Sequence, residues 1–272
     1  MRSLKLKSGY SIPVMGLGTW LLTGKDCYEA VTTALECGYT HIDTAVAYEN
    51  ELDIGKALKD SNIAREDLFI TSKVWYSKLR SKDVIEQCNR SLDYLGTEYL
   101  DLLLIHWPNR AIPLQETLKA FEELVELRKV RSIGVSNFTN HHIQDTLKLT
   151  ALPICTNQVE FHPFLYQKEL LDFCFQNGIL LTAYSPLGHG NVFTDERFVE
   201  IAEKIKTNPG TLALSWILTK NCIVIPKAST EEHLKQNLKA LDFVPDPEII
   251  NQIDEINEQQ RVINPSWADF NY

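Results

Sequence analysis

The sequence predicts an α/β fold, a (β/α)8 barrel of the TIM type with an N-terminal β-hairpin and an extra C-terminal helix. Three observations predict it. Short apolar runs alternate with amphipathic stretches of helical length, eight times along the 272 residues. Strands separated by helices of about ten to fifteen residues pair in parallel through crossovers. Eight such units in about 250 residues suit a closed barrel better than an open doubly wound sheet. No linker, low-complexity segment or short repeat breaks the alternation, so one domain is expected over residues 1–272.

Each element has its own signal. "SLKLKSGYSIP" reads as a hairpin turning at Ser8–Gly9, and its place before the first barrel strand assigns it to the barrel bottom. "VMGLG" (14–18) is the first barrel strand, and 25–37 a helix with Tyr28, Val31 and Leu35 on one face and Gly38 as its stop. "THIDTA" (40–45) is the second strand, followed by a helix over 49–60. "LFITSKVW" (68–75) is the third, with a helix over 82–94 whose Val84, Cys88 and Leu92 stand at helical spacing. "YLDLLLIH" (99–106) is the fourth, with a helix over 114–129. "VRSIGVS" (130–136) and "ICTNQVEF" (154–161) are the fifth and sixth, with helices near 139–149 and 166–177. "ILLTAYS" (179–185) is the seventh, and helices over 195–206 and 210–220 follow it. "CIVIP" (222–226) is the eighth, with its helix over 230–240 and the extra helix near 246–259.

Composition limits the function classes. Hydrophobic residues make up 44% and charged residues 23%, ordinary for a folded chain, and the formal net charge of −9 argues against general nucleic-acid binding. A local basic pocket for an anionic ligand remains compatible with that charge. Cys27, Cys37, Cys88, Cys155, Cys174 and Cys222 include no CxxC pair and read as free thiols of a reducing cytoplasm. The N-terminus has no apolar stretch of signal length and no run reaches membrane-spanning length, so a cytoplasmic protein without a membrane partner is expected. No histidine pair has zinc spacing, and no metal is expected. His41, inside a strand, reads as structural; His141 and His142 as solvated at a helix start; His162 and His189 as loop residues. Trp216, in a helix, reads as core. With no unusual apolar surface stripe, a monomer is expected.

In a barrel of this kind, chemistry gathers where the strands end and the βα loops begin. There stand Trp20, Asp43, Lys73, Trp75, His106, Trp107, Ser136, Asn137, Asn157, Gln158, Glu160, Tyr184, Ser185 and Lys227. Polar or aromatic groups stand at all eight ends, which the mere return of polarity explains poorly. Trp20, Trp75 and Trp107 suit an aromatic substrate pocket. Asp43 precedes Tyr48 by five residues, and Lys73 comes from the neighbouring strand. A lysine charge between them is expected to lower the phenol pKa from about 10 and favour proton exchange. His106, one strand further, suits the orientation of a carbonyl oxygen. Protonating that oxygen needs a hydride for the carbon, hence a nicotinamide. "MGLGTW" lacks the third glycine of a dinucleotide fingerprint, so the cofactor phosphates are expected at the loops after strands seven and eight. Two other readings compete: a Schiff-base aldolase using Lys73, and a non-catalytic nicotinamide-binding sensor or partner subunit on the same fold.

The chain resembles the aldo-keto reductases along nearly its whole length, from "IPVMGLGTW" to "IPKASTEEHLKQN", through "HIDTAVAYENELDIG" (41–55), "TSKVW" (71–75), "LDLLLIHWP" (100–108), "IGVSNF" (133–138), "NQVEFHP" (157–163) and "AYSPLG" (183–188). The resemblance implies NADPH-dependent reduction of aldehydes and some ketones, with Tyr48 as general acid, Lys73 and Asp43 assisting, and His106 positioning the substrate. It implies that Asn137 and Gln158, with Ser136 nearby, meet the nicotinamide carboxamide and that Tyr184 stacks on the ring. Ser185 and Leu187 would contact the pyrophosphate; Lys227 would meet the 2′-phosphate, supported by Ser229 and Thr230; Asn237 would reach the adenine. Where the family commonly carries an arginine and a glutamate, this chain has His233 and Gln236, and Ala228 stands in place of a serine. An imidazole lacks the fixed charge and bidentate fork of a guanidinium, so NADPH is the expected cofactor with NADH as the alternative. The short tail, "VINPSWADFNY", suggests a more open pocket and is similar to the compact microbial type that includes diketogluconate and methylglyoxal reductases; Trp267 and Phe270 are able to reach that pocket, without a place the sequence assigns them.

Overall fold

The computed structural model describes residues 2–272. β1 (Ser3–Lys5) and β2 (Ser11–Pro13) form the antiparallel hairpin. Its turn passes through Gly9 at φ +95°, a conformation open to glycine at little cost. The parallel strands follow in chain order: β3 (Leu17–Gly18), β4 (His41–Asp43), β5 (Phe69–Val74), β6 (Leu102–Ile105), β7 (Ile133–Ser136), β8 (Ile154–Glu160), β9 (Leu180–Tyr184) and β10 (Ile223–Val224). Each pairs with the next. The ring closes between last and first: Met15 bridges Val224, and the Gly16 N–H donates to the Val224 carbonyl at 2.9 Å. A Cβ on Gly18 would stand 2.5 Å from the Ile225 carbonyl, so this seam closes only around glycine.

The helices surround the ring: α1 (Gly24–Glu36), α2 (Glu51–Asp60), α3 (Ser81–Leu95), α4 (Leu114–Glu126), α5 (Asn140–Leu149), α6 (Lys168–Gln176), α7 (Glu196–Lys204), α8 (Pro209–Thr219), α9 (Glu231–Leu238) and α10 (Pro247–Glu255). Strand alternation divides the apolar side chains into two cores. Leu103 and Ile105 face the helices, whereas Leu102 and Leu104 face inward with Phe69, Cys155 and Ile223. Leu6 and Ile12 of the hairpin region join that inner cluster, at the end where the strands begin. This two-sided burial is why β6 reads as a continuous apolar run.

Boundaries move by a few residues. The fourth barrel strand is shorter than the predicted 99–106, because the buried Asp101 carboxylate accepts the Ile70 N–H at 2.9 Å and is held by Arg65 and Arg131. The helix expected from residue 49 starts at Glu51, after a separate 3₁₀ turn over Val46–Tyr48 that ends on Glu49 at φ +56°. The six cysteines are free, with Cys37 half-buried and the others buried. Among the described residues no helix is long and apolar enough to cross a membrane.

Candidate active site

The four residues assigned to proton chemistry meet at the strand ends. Asp43 closes β4 and Lys73 lies in β5; both are buried. Lys73 Nζ donates to Asp43 Oδ1 at 2.5 Å and to the Thr44 carbonyl at 2.7 Å, and it stands 3.5 Å from Tyr48 Oη. Tyr48 ends the 3₁₀ turn after β4, which lowers its hydroxyl onto the lysine. His106, the first residue past β6, places Nε2 3.5 Å from the same hydroxyl. Its Nδ1 is buried without a partner. A buried N–H without an acceptor is rarer than an acceptor without a donor, so the proton belongs on Nε2, facing Tyr48 and the space beside it.

Burial sets the charges. It pushes the Tyr48 phenol well above its ordinary range, and the Asp43 charge pushes it the same way. This corrects the expectation of a lowered phenol pKa: Lys73 is adjacent, but burial and the Asp43 charge both raise it. Burial also lowers Lys73, against the raising influence of Asp43, and holds His106 well below the usual imidazole range with Lys73 adding to the effect. The set at neutral pH is a protonated phenol, a neutral imidazole and a lysine–aspartate pair. A protonated phenol beside a cation that can stabilise its anion is an arrangement able to act as a general acid.

The residues assigned to the nicotinamide line the next three strand ends, those of β7, β8 and β9. Ser136 Oγ donates to the Gln158 carbonyl at 2.8 Å. Asn137, at φ +62°, donates to the His106 carbonyl at 3.0 Å and accepts from the Tyr184 hydroxyl at 2.8 Å. Gln158 donates to Asp43 Oδ2 at 2.7 Å. Ser185 is a second non-glycine residue in the left-handed region, at φ +46°, and its hydroxyl meets His189 Nε2 at 3.1 Å. Such backbone strain at the ends of β7 and β9 persists where the surroundings enforce it, commonly at ligand sites. Lys227, Ser229 and His233 are exposed around the start of α9, Leu187 is half-buried, and Asn237 is buried. Lys227 has no carboxylate within ion-pair distance among the described residues. A half-buried tyrosine ring at one end, and at the other the Lys227 ammonium beside the exposed Ser229, suit a nicotinamide dinucleotide phosphate; the Thr230 hydroxyl caps α9, accepting the His233 N–H at 3.3 Å. In the order drawn from the chain, Tyr184, Ser136, Asn137 and Gln158 would hold the nicotinamide end, and Lys227 with Ser229 the 2′-phosphate.

The three rim tryptophans separate. Trp75 packs edge-on against His106 with ring centroids 5.1 Å apart. Trp107 is buried beside it, under the tail. Trp20 is exposed and stacks instead on His189 at 5.8 Å, on the Ser185 side of the cleft. Trp216 is fully buried, and His41 is buried with its pKa lowered to about 4 by desolvation. His142 was expected in solvent; it is buried, because the Tyr272 ring covers it at 4.8 Å and it completes the capping box of α5 with Thr139.

The tail forms a roof that the sequence alone left open. Trp267 lies flat on Tyr76 with centroids 4.4 Å apart, and meets Trp75 and Trp107 edge-on. Arg110 holds Asp269 at 2.5 Å, and the Tyr272 hydroxyl donates to Asp145 at 2.6 Å. Glu160, fully buried at the end of β8, accepts the N–H groups of Val262 at 2.7 Å and Ile263 at 2.9 Å. Its place at a strand end was the one available signal for that role.

A family model described as the aldo/keto reductase family matches residues 14–258. The glyoxal reductase of Bacillus subtilis is 40% identical over 261 residues, covering 96% of this chain and 94% of the relative. Among solved structures, an aldo-keto reductase enzyme from a Medee basin deep-sea metagenome library superposes with a TM-score of 0.93 at 40% identity, over 96% of this chain and 97% of the other. The aldo-keto reductase of Bombyx mori in complex with NADP superposes with a TM-score of 0.91 at 30% identity, over 99% of this chain and 98% of the other.

Proposed function

The chain belongs to the aldo/keto reductase family of nicotinamide-dependent oxidoreductases, and we propose that it uses NADPH to reduce aldehydes and some ketones to alcohols, with Tyr48 as proton donor. The observation that carries this reading is the stacked order of Asp43, Lys73, Tyr48 and His106, linked at 2.5, 3.5 and 3.5 Å. When bound, the nicotinamide supplies the hydride to the carbonyl carbon. His106 Nε2–H and the Tyr48 hydroxyl converge on one space, where together they would hold the carbonyl oxygen. Tyr48 gives that oxygen its proton, and the Lys73 ammonium stabilises the phenolate that remains. Asp43 keeps the ammonium charged and in place. The aromatic walls formed by Trp75, Trp107 and Trp267 exclude water and favour the unhydrated carbonyl form.

Lys227 beside Ser229 supports NADPH over NADH, because the extra phosphate of NADPH would meet an ammonium with no protein counter-ion. A monomer in the cytoplasm is the setting we infer, in keeping with the free thiols. Since the Bacillus relative carries the name glyoxal reductase, α-dicarbonyls and simple aldehydes are the first compounds to assay. The deciding test is Tyr48→Phe. Removal of one hydroxyl is expected to lower kcat by about 10³-fold while NADPH still binds, followed calorimetrically. Turnover within tenfold of the parent would refute the assignment.

A further inference from the structure

Asn50 stands directly behind the reacting groups and touches none of them. Its side chain is fully buried and makes three hydrogen bonds, with both amide N–H groups donating. Oδ1 accepts from the Thr44 hydroxyl at 2.7 Å, and Nδ2 donates to the Thr19 carbonyl at 2.9 Å and to the Leu22 carbonyl at 2.8 Å. Among short side chains only asparagine offers two donors and an acceptor from one planar group. Serine or threonine would leave a carbonyl unpaired, and aspartate would set a carboxylate against two carbonyl oxygens.

The partners belong to two loops that must meet for the site to exist. Thr44 follows Asp43, and its carbonyl is the second acceptor of Lys73, at 2.7 Å. Thr19 and Leu22 flank the turn that carries Trp20, in which Leu21 is held at φ +65°. Thr19 in turn gives its N–H at 3.0 Å and its hydroxyl at 2.9 Å to the Asp43 carbonyl. Asn50 thus joins the loop after β3 to the loop after β4, two residues beyond Tyr48.

We propose that Asn50 is a positioning residue of the catalytic set: through Thr44 it fixes the carbonyl that aims Lys73 at Tyr48, and through Thr19 and Leu22 it locks the Trp20 loop to the same turn. The inference rests on the reading of Tyr48 as proton donor. Without this clamp Lys73 keeps Asp43 but loses a fixed second acceptor, so its charged form is less favoured and its distance to Tyr48 varies.

The test compares Asn50→Ala, near-isosteric Thr44→Val and their combination with the parent enzyme, using NADPH and an accepted aldehyde. Misplacing a catalytic group by an ångström costs up to about 10²-fold, so Asn50→Ala is expected to lose about 10- to 100-fold in kcat and Thr44→Val about 3- to 10-fold. KM and the calorimetric Kd for NADPH should stay within about threefold in each variant, and the alkaline limb of kcat should move to lower pH. Because Thr44→Val removes only a hydrogen bond that Asn50→Ala already removes, the double variant should lie within about threefold of Asn50→Ala. Folded variants with an unmoved pH profile, or losses that multiply, would overturn the role. If Asn50→Ala does not fold, Thr44→Val alone decides by its pH limb. Tyr48→Phe, assayed alongside, separates the two claims: retained turnover there defeats the proton-donor reading, whereas its loss beside parent-like Asn50 and Thr44 variants defeats only the positioning role.

Discussion

Gln158 donates its side-chain amide to Asp43 Oδ2 at 2.7 Å, while Lys73 holds Oδ1 of the same carboxylate at 2.5 Å. The residue proposed for the nicotinamide and the residue proposed for the proton therefore share one anion. Whatever orients Gln158 also bears on the charge that stabilises Lys73, so under the proposed roles cofactor binding and proton donation would be mechanically linked.

That link predicts the behaviour of Asp43→Asn. The substitution keeps the shape and removes the charge. Lys73 is left as a buried cation with neutral acceptors, and the largest influence opposing its downward shift is gone, leaving only the weaker one of Glu51. Its ammonium is then lost at lower pH than in the parent, so the alkaline limb of kcat should move to more acidic pH. Turnover near neutrality should fall by roughly 10²-fold. Gln158 also loses its anionic acceptor, so the Kd for NADPH, followed by tryptophan fluorescence, should rise. An unmoved limb would show that Asp43 does not tune Lys73.

The parent enzyme has its own predicted pH dependence. Carbonyl reduction needs the Tyr48 phenol protonated, and burial raises its pKa, so the proton is present throughout the neutral and mildly alkaline range. His106 is shifted downward, so it stays neutral well below the pH at which an ordinary histidine titrates. Lys73 is also shifted downward, and its deprotonation should set the alkaline limb before the phenol ionises. Steady-state kcat should accordingly be flat from about pH 6 to 8 and fall above it. A break centred near pH 6.5, abolished in His106→Gln, would show that His106 titrates normally.

The fold and the meeting of Asp43, Tyr48, Lys73 and His106 were legible for a common reason. β5 to β8 are buried on both faces and so write apolar runs. Each run ends where a side chain leaves the core for the cleft, as Ile105 gives way to His106. Partnerships across long stretches of chain left no such trace. Glu160 stands at a strand end, but its acceptance of the Val262 and Ile263 N–H groups depends on the course of an aperiodic tail. The same tail hides His142, whose polar helix-start sequence reads as solvated. The acidity of Tyr48 was misjudged because a neighbouring lysine is visible in the sequence and the extent of desolvation is not.

The tail gives a prediction about substrate size. Glu160→Ala removes the acceptor of two backbone N–H groups at its root, and Trp267→Ala removes its contact with Tyr76. Both variants should raise KM for bulky aromatic aldehydes by about tenfold, because an aromatic contact and its buried area are worth about 1–2 kcal/mol. For a two-carbon dicarbonyl kcat should remain within about twofold. Glu160→Ala should also become susceptible to proteolysis after Arg261. Equal losses for small and large substrates would place the tail outside substrate selection.

Cofactor choice rests on the start of α9. Lys227, Ser229 and His233 are exposed there, and Glu231 is engaged by Lys235. A lone ammonium attracts a phosphate as a point charge, and the imidazole of His233 lacks the permanent charge and planar fork of a guanidinium. Lys227→Ala should therefore weaken NADPH by about tenfold or more and leave NADH nearly unchanged, as one charge-assisted contact is worth about 1.5–3 kcal/mol. His233→Arg should do the opposite, tightening NADPH through a planar, permanently charged donor fork while again sparing NADH. Because both effects act on a solvent-exposed phosphate, raising salt from 50 to 500 mM should compress the NADPH/NADH ratio in the parent, and compress it more in His233→Arg. Titration of each cofactor by tryptophan quenching at the two salt concentrations measures all of these ratios. An NADPH/NADH ratio that is indifferent to Lys227 would move the 2′-phosphate away from the start of α9.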